Sequence, residues 1–386
     1  MVRIARERVS SFIKKYFFEG QRLASDESQT ALDETFLEVF VRKHRKVIGF
    51  AIPFCFFNFV WWSLAIRYDL FKLFPERYQM SITMIFGALI AGMTSEGGGA
   101  IAFPVMTLVL HIEPAISRDF SLMIQSCGMT AASFVIIWMG IVIEWHSVVF
   151  CSLGAVGGVI FGLEVIDPRL TAAQKKMGFV SIWFSFAMAL FLLNIRRNRR
   201  TFDKIPDFKL WKMIVLIVTG FLGGNFTAFS GSGVDICSFS ILTLLFHVSE
   251  KVAVPTSVIL MAINTLVGFY WRQFIMAEVS EEAWEYLAVC VPIVVFVAPF
   301  ATCAASYFHR LVLASFIYVL ETVALIGGFV IVKPDWALTA ISASIVVAGF
   351  FFFLVLSRLE VAVEHGSMDL DAVRVMEKEV ETVQVT

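Results

Sequence analysis

The sequence predicts an all-α polytopic membrane protein. Of its residues, 58% are hydrophobic and only 16% are charged, with a mean hydropathy of +0.80, a composition outside the range of soluble globular domains. Apolar runs of about 20 residues, the length that crosses about 30 Å of hydrocarbon, recur along the chain. Two further apolar stretches, at 80–112 and 209–248, are interrupted by small polar residues. Together these features predict two inverted repeats, each a re-entrant helical hairpin followed by three spans, with extra flanking spans.

The elements follow in order along the chain. Residues 1–46 form a cytoplasmic region whose basic and apolar residues, among them Arg3, Lys14 and Phe17, predict an amphipathic helix on an anionic leaflet. A transit peptide is the alternative interpretation. The predicted segments that follow are a first flanking span at 47–66, repeat 1 at 80–195, a basic cytoplasmic loop at 196–208, repeat 2 at 209–332, a last flanking span at 336–356 and an acidic cytoplasmic tail at 357–386.

Loop charges decide how the interrupted stretches lie. The loop at 196–208 is the most basic in the chain and is expected in the cytoplasm with both termini. This holds only if the stretch 80–112 enters and leaves on one side. The four halves, at 80–93, 99–112, 211–224 and 234–247, are each expected to be about 21 Å long as helix and too short to cross.

The two interruptions are the main functional signal. The first is expected at 92–99 and the second at 223–235, so the backbone leaves the helix at membrane depth in both halves. Such backbone is tolerated where it lines a protein cavity or binds a solute. His111 and His247 follow the two interruptions, and Ser121 and Ser257 each lie ten residues further on. Gly154, Gly158 and Gly162, spaced four residues apart, predict a helix that approaches a neighbour closely.

Half-helices that begin at a glycine direct N–H groups and a positive dipole end toward the break, where an oxyanion binds without a buried Arg or Lys. Hydroxyl and amide groups stand around both breaks; the alternative is that they only satisfy one another. The candidate substrate-binding residues are Thr94, Ser95, Gly97, Gly98, Gly99, Asn225, Thr227, Ser230, Gly231, Ser232, Gly233, Gln125 and Asn264.

Three acidic residues are candidates for coupling to protons: Glu96 and Asp235 at the breaks, and Glu321 within a later span. A carboxylate beside an anion repels it unless the carboxyl is protonated or holds a cation. For Glu96 and Asp235, capping of a half-helix is an equal alternative. For Glu321, pairing with a neighbouring helix is the alternative. Arg118, His111 and His247 are expected mainly as anchors at the membrane interface, with substrate entry or proton relay as the alternative.

At these residues the chain resembles the sulfite exporter TauE/SafE family of membrane proteins. The motifs are EGGGAIAFP at 96–104 and FSGSGVD at 229–235, the second leading to VPTS at 254–257. The resemblance covers residues 80–332. It implies transport of small sulfur oxyanions or organosulfonates, sulfite being the model substrate, with export favoured over import.

The predicted function is therefore a secondary transporter that binds a small anion at the two glycine breaks near the midplane and works by alternating access. An anion channel, or a transporter of a different small carboxylate or oxyanion, is the alternative. We expect no enzyme activity, since no catalytic motif such as HExxH occurs, and no cofactor, metal or nucleic-acid partner. The lipid bilayer is the expected environment, with a multi-pass arrangement in the plasma membrane. Proton coupling and homo-oligomerisation stay open at this stage.

Overall fold

The computed structural model describes residues 41, 43–94, 96–195, 201–305, 310–352 and 355. The predicted amphipathic helix within 1–46, the tail at 357–386 and Ser95 lie outside these ranges. The described chain is an assembly of α-helices whose extended backbone is limited to an isolated bridge between Phe202 and Val248. The predicted all-α class is confirmed.

The helices are numbered here in chain order. They are α1 Arg45–Tyr68, α2 Phe74–Met93, α3 Gly99–Val109, α4 Pro114–Trp138, α5 Trp145–Phe161, α6 Ala172–Ile195, α7 Leu210–Ser230, α8 Val234–Leu245, α9 Glu250–Tyr270, α10 Glu281–Ala305, α11 Arg310–Val332 and α12 Trp336–Phe352. We call α2 with α3 the first broken pair, and α7 with α8 the second broken pair.

Six helices of the described chain are long and apolar enough to cross a membrane: α1, α4, α5, α7, α9 and α10. Their number and composition define an integral multi-pass membrane protein. The prediction that all four halves of the interrupted stretches are too short to cross is therefore wrong for α7. Helix α2 has 20 residues and α7 has 21, about 30 Å each, and only α3 and α8 are short.

The second break is also smaller than expected. Helix α7 continues through Gly223, Asn225, Thr227 and Ser230, so the prediction of a break over 223–235 is wrong for its first eight residues. The chain leaves the helix only at 231–233. The first break runs from Thr94 to Gly98, close to the predicted position.

Ion pairs show which helices begin at the same end of the bundle. Arg77 near the start of α2 contacts Glu285 at the start of α10, with 2.7 Å between Nη2 and Oε2. Arg272 at the end of α9 contacts both Asp119 at the start of α4 (3.0 Å) and Glu278 just before α10 (2.6 Å). Helices α2, α4 and α10 therefore begin at one end, and the first broken pair returns to the end at which it starts.

The second broken pair returns to its own starting end, which is the opposite one. The segment that connects α6 to α7 is hydrogen-bonded to the residues that precede α9. In this contact the Phe202 N–H donates to the His247 carbonyl (2.8 Å). Glu144, which precedes α5, accepts the Ile205 N–H (2.8 Å), and its own N–H donates to Thr256 of α9 (2.9 Å). The starts of α5, α7 and α9 thus lie together.

Glycines allow the long helix of each broken pair to lie directly against another helix. A side chain at Gly154 would overlap the carbonyl group of Ile217, and one at Gly158 would overlap that of Phe221, so α5 and α7 are in backbone contact. This confirms the close approach predicted from the glycine spacing. Gly92 plays the same part between α2 and α10, where a Cβ would lie 2.9 Å from the Thr302 nitrogen.

The two broken pairs end in the same local structure. Each short helix finishes in a π-turn, at Val105–Val109 and Ile241–Leu245. A histidine in the left-handed region then follows, His111 with φ 56° and His247 with φ 58°. The same hydrogen bond closes both turns, from the N–H of the residue after the histidine to a carbonyl six residues earlier, at 2.8 Å. The predicted sequence repeat therefore has a counterpart in local structure.

Candidate functional site

The first break is held by a hydroxyl group and carries a buried acid. The Thr94 hydroxyl donates to the Ile90 carbonyl (2.8 Å) and accepts the Glu96 N–H (3.1 Å). The Glu96 side chain is fully buried, and neither carboxyl oxygen has a hydrogen-bond partner among the described residues. A polar group buried without a partner is costly, so Glu96 is a candidate functional residue.

The second break depends on glycine geometry. Gly231 has φ 81°, a conformation that L side chains rarely adopt. Its Cα lies against α4, since a Cβ there would be 2.9 Å from the Arg118 carbonyl oxygen. The Ser230 hydroxyl donates to the Ser232 carbonyl (2.7 Å) across this turn. The break is therefore a tight, internally bonded turn at the end of α7.

Asp235 joins the two breaks. One oxygen, Oδ2, accepts the Gly97 N–H of the first break (2.8 Å) and the Ser232 hydroxyl (2.9 Å). The other oxygen, Oδ1, accepts the Gly233 N–H (2.8 Å). These bonds engage N–H groups that precede both short helices, as the predicted capping role requires, and they reach across from one broken pair to the other. The breaks meet inside the protein.

Gln125 of α4 packs into this junction. Its Nε2 donates to the Gly231 carbonyl (2.7 Å) and to the Ser121 carbonyl (3.1 Å), while its Oε1 has no partner among the described residues. A Cβ at Gly97 would lie 2.8 Å from the Ser232 hydroxyl, and one at Gly99 would lie 2.5 Å from Gln125 Nε2. A larger residue at either position would displace these side chains.

The remaining predicted residues lie around this junction at different depths. Gly98 packs on α2, where a Cβ would lie 3.4 Å from Met84 Cε. The Thr227 hydroxyl accepts the Val234 N–H (3.3 Å) and the Asn264 amide (3.2 Å), which ties α7 to α8 and α9. The Asn225 amide instead donates to the Phe221 carbonyl of its own helix (2.8 Å), and no described contact joins Asn225 to the junction.

Sequence reasoning missed a thioether at the junction. Met261 of α9 is 1% exposed, and its sulfur lies 3.9 Å from the Ser232 hydroxyl and against Gly97. A methionine in an apolar helix carries no signal that separates this position from ordinary core packing.

The charges at the junction are all acidic. Glu96 interacts electrostatically with Asp235 of α8 and with Glu321 of α11. Glu321 is fully buried, and neither of its carboxyl oxygens has a partner in the part of the chain that the structure describes. No described lysine or arginine forms an ion pair with these three carboxyls. The predicted alternative for Glu321, pairing with a neighbouring helix, therefore has no counterpart here.

The three interface candidates differ in burial. His111 is exposed and His247 is half-buried. Arg118 corrects the prediction of an interfacial anchor, because it is 2% exposed and ion-paired with Asp119 (2.8 Å) and Asp167. Arg118 thus belongs to a buried ion cluster at the end where α4 begins. Its position in the first turns of that helix did not reveal the cluster.

Two chain breaks that meet within a bundle of membrane helices, around buried acids that have no ion-pair partner among the described residues, are typical of a polytopic membrane transporter. The model of the sulfite exporter TauE/SafE family matches residues 80–328, more than half of the chain and the region that holds both broken pairs. The chain belongs to this family. Neither the comparison with curated proteins nor the comparison with solved structures gives a match.

Proposed function

We propose that the protein is a secondary transporter of a small sulfur oxyanion or organosulfonate, with sulfite as the model substrate and export as the working direction. The observation that carries the proposal is the Asp235 bridge, which brings both broken pairs to one buried point. Membership of the sulfite exporter family supports the substrate class. The proposed location is the plasma membrane, with both termini in the cytoplasm.

The substrate is proposed to bind where Gln125, Ser232 and the glycines of the first break converge. Backbone at Gly97 and Gly99 approaches these side chains without an intervening Cβ, which leaves room for a small solute when the junction opens. The N-terminal ends of α3 and α8 direct their dipoles toward the same point. Thr94, Ser95 and Asn264 complete the proposed lining.

Proton coupling is proposed to reside in Glu96 and Glu321, while Asp235 serves as the cap. Asp235 already accepts three hydrogen bonds, so its negative charge is compensated locally. Glu96 and Glu321 lack such donors and repel each other when both are ionised. A proton on either one removes this mutual repulsion and lowers the negative charge that an entering anion meets.

The proposed motion follows from the packing. The two units 80–195 and 209–332 form inverted repeats, supported by the opposite starting ends of their broken pairs and by the matching π-turns. Each broken pair, however, is in backbone contact with a helix of the other unit, α7 with α5 and α2 with α10. We therefore propose that each rocking body combines the broken pair of one unit with helices of the other unit.

Purified protein in proteoliposomes tests the proposal. Uptake and efflux of sulfite, sulfate, taurine and acetate are measured under imposed pH and voltage gradients. Saturable sulfite transport that responds to both gradients is expected. Sulfite flux that does not saturate and ignores the pH gradient would identify a channel. Transport of acetate without sulfite would reassign the substrate class.

A further inference from the structure

A buried tryptophan on α6 has a hydrogen-bond donor without an acceptor. Trp183 is fully buried, and its indole Nε1 has no partner among the described residues. Buried Trp N–H groups normally find an acceptor, and other tryptophans of this protein do. Trp61 donates to the Ala288 carbonyl (2.6 Å), and Trp138 donates to the Arg45 carbonyl (2.9 Å). The orphan donor at Trp183 is therefore a local feature that needs a cause.

The face of α6 that carries Trp183 contacts both short helices. Phe179 and Phe186, one turn before and after Trp183, share its face. Phe179 packs on Phe103 of α3 with 4.8 Å between ring centroids, and Phe186 packs on Phe239 of α8 at 6.1 Å. Trp183 itself stacks on Phe179 at 4.2 Å. The unpaired N–H thus lies on the side of α6 that meets the first and second broken pairs.

The buried acid of α11 lies against the same helix. Helices α6 and α11 run antiparallel, because Val180 contacts the position of Gly328 while Phe191 contacts Tyr318. Trp183 and Glu321 both fall in the segment between these two contacts. Glu321 interacts electrostatically with Glu96, and we call the surroundings of these two side chains the acidic region. Helix α6 therefore lines the acidic region, although no sequence motif marks this helix.

We propose that the Trp183 N–H is a substrate-binding donor that hydrogen-bonds an oxygen of the transported oxyanion beside Glu321. The acidic region offers unpaired acceptors, the four carboxyl oxygens of Glu96 and Glu321. An oxyanion brings further acceptors and needs donors, because no Lys or Arg of the described chain is ion-paired with these acids. An indole N–H adds a donor without adding charge, and the Ser240 hydroxyl of α8, buried and also unpaired in the described chain, is a second one. The inference rests on the proposed function.

The test compares Trp183→Phe with Trp61→Phe in proteoliposomes. The first substitution removes an unpaired donor and keeps an aromatic ring, while the second removes a donor already bonded to a helix carbonyl. Because hydrogen bonds to charged groups are strong, we expect Trp183→Phe to raise KM for sulfite about tenfold or more. We expect Trp61→Phe to leave KM unchanged. Equal KM values for wild type and folded Trp183→Phe would overturn the inference.

Binding is measured independently of transport in wild-type protein labelled with 5-fluorotryptophan. The Trp183 fluorine signal is assigned by its loss in Trp183→Phe, or in Trp183→Tyr where the phenylalanine variant does not fold. Titration with sulfite is expected to shift this signal and not that of Trp61. A Trp183 signal that no anion of the panel shifts overturns the inference. Wild-type protein that transports no anion refutes the proposed function, while the fluorine signal still decides on Trp183.

Discussion

Two isosteric substitutions separate capping from coupling at the junction of the breaks. Asp235→Asn keeps the side-chain shape but leaves one carbonyl oxygen to serve the Gly97 N–H, the Gly233 N–H and the Ser232 hydroxyl. The side-chain NH2 group of the variant then faces one of these donors instead of accepting a hydrogen bond from it. Loss of one hydrogen bond to a charged group costs about 1.5–3 kcal/mol. Glu96→Gln removes no hydrogen bond from the described structure, so its expected cost is close to zero.

The assay is thermal unfolding of both variants in one detergent, with wild type as reference. The Tm shift is about 2–4 °C per kcal/mol for chains of 150–250 residues and smaller for this longer chain of 386 residues, so Asp235→Asn should lower Tm by about 2–4 °C. Glu96→Gln should keep the wild-type Tm or raise it. Transport should then lose its response to an imposed pH gradient in Glu96→Gln. A Tm that falls equally in both variants would refute the assignment of different roles to the two acids.

Three further predictions concern packing, coupling and the buried ion cluster. Gly158→Ala should be less stable than Gly157→Ala by about 1–3 kcal/mol. The Cβ added at Gly158 overlaps a backbone carbonyl, whereas the atom nearest to the Cβ added at Gly157 is 3.9 Å away. Equal Tm values for the two variants would contradict this. Glu321→Gln should abolish pH-driven sulfite uptake while sulfite exchange continues, and pH-driven uptake at the wild-type rate would exclude it from coupling. Arg272→Gln should destabilise by less than the about 3–5 kcal/mol of a fully broken buried ion pair, because Asp119 loses Arg272 but keeps Arg118 as a partner; an unchanged unfolding temperature would contradict this.

The helical class and the order of elements were predictable because hydropathy responds to one strong constraint, the thickness of the bilayer. The first break was also predictable. Four small residues around Glu96 leave few side chains to hold a helix, and the structure departs from helix at Thr94. Its return to the same end of the bundle followed from loop charges, and the ion pair of Arg77 with Glu285 agrees with it.

The second break shows where pattern reasoning fails. Gly223 and Gly224 serve close packing against α8 and α5, and both stay helical. Thr227 and Ser230 bond to carbonyls four residues earlier, so they remain compatible with the helix. Sequence alone does not separate a glycine that admits a neighbouring backbone from one that needs a positive φ, as Gly231 does.

Long-range contacts decided the rest of the site. The Asp235 bridge joins residues 138 positions apart, and local sequence carries no trace of it. Trp183 and Met261 are residue types common in apolar cores, and only their contacts in the structure distinguish them from ordinary core residues. Arg118 was expected at the interface because it lies near a predicted span end, yet Asp119 and Asp167 compensate its charge inside the protein.

The number of protons held by the unpaired acids would determine the direction of transport. Export of a divalent anion with one proton moves one net negative charge outward, which an interior-negative potential favours by about 2.3 kcal/mol per 100 mV. Carrying that proton out against a gradient of one pH unit costs about 1.4 kcal/mol, so export still prevails. With two protons no net charge moves, the potential drops out, and the same pH gradient drives import by about 2.7 kcal/mol. Because three hydrogen bonds compensate the charge of Asp235, Glu96 and Glu321 set this number, and their mutual repulsion requires at least one proton. Export driven by the membrane potential therefore requires that they share one. The charge moved per sulfite, measured as current in voltage-clamped proteoliposomes, should be one, and electroneutral transport would show that the potential does not drive export.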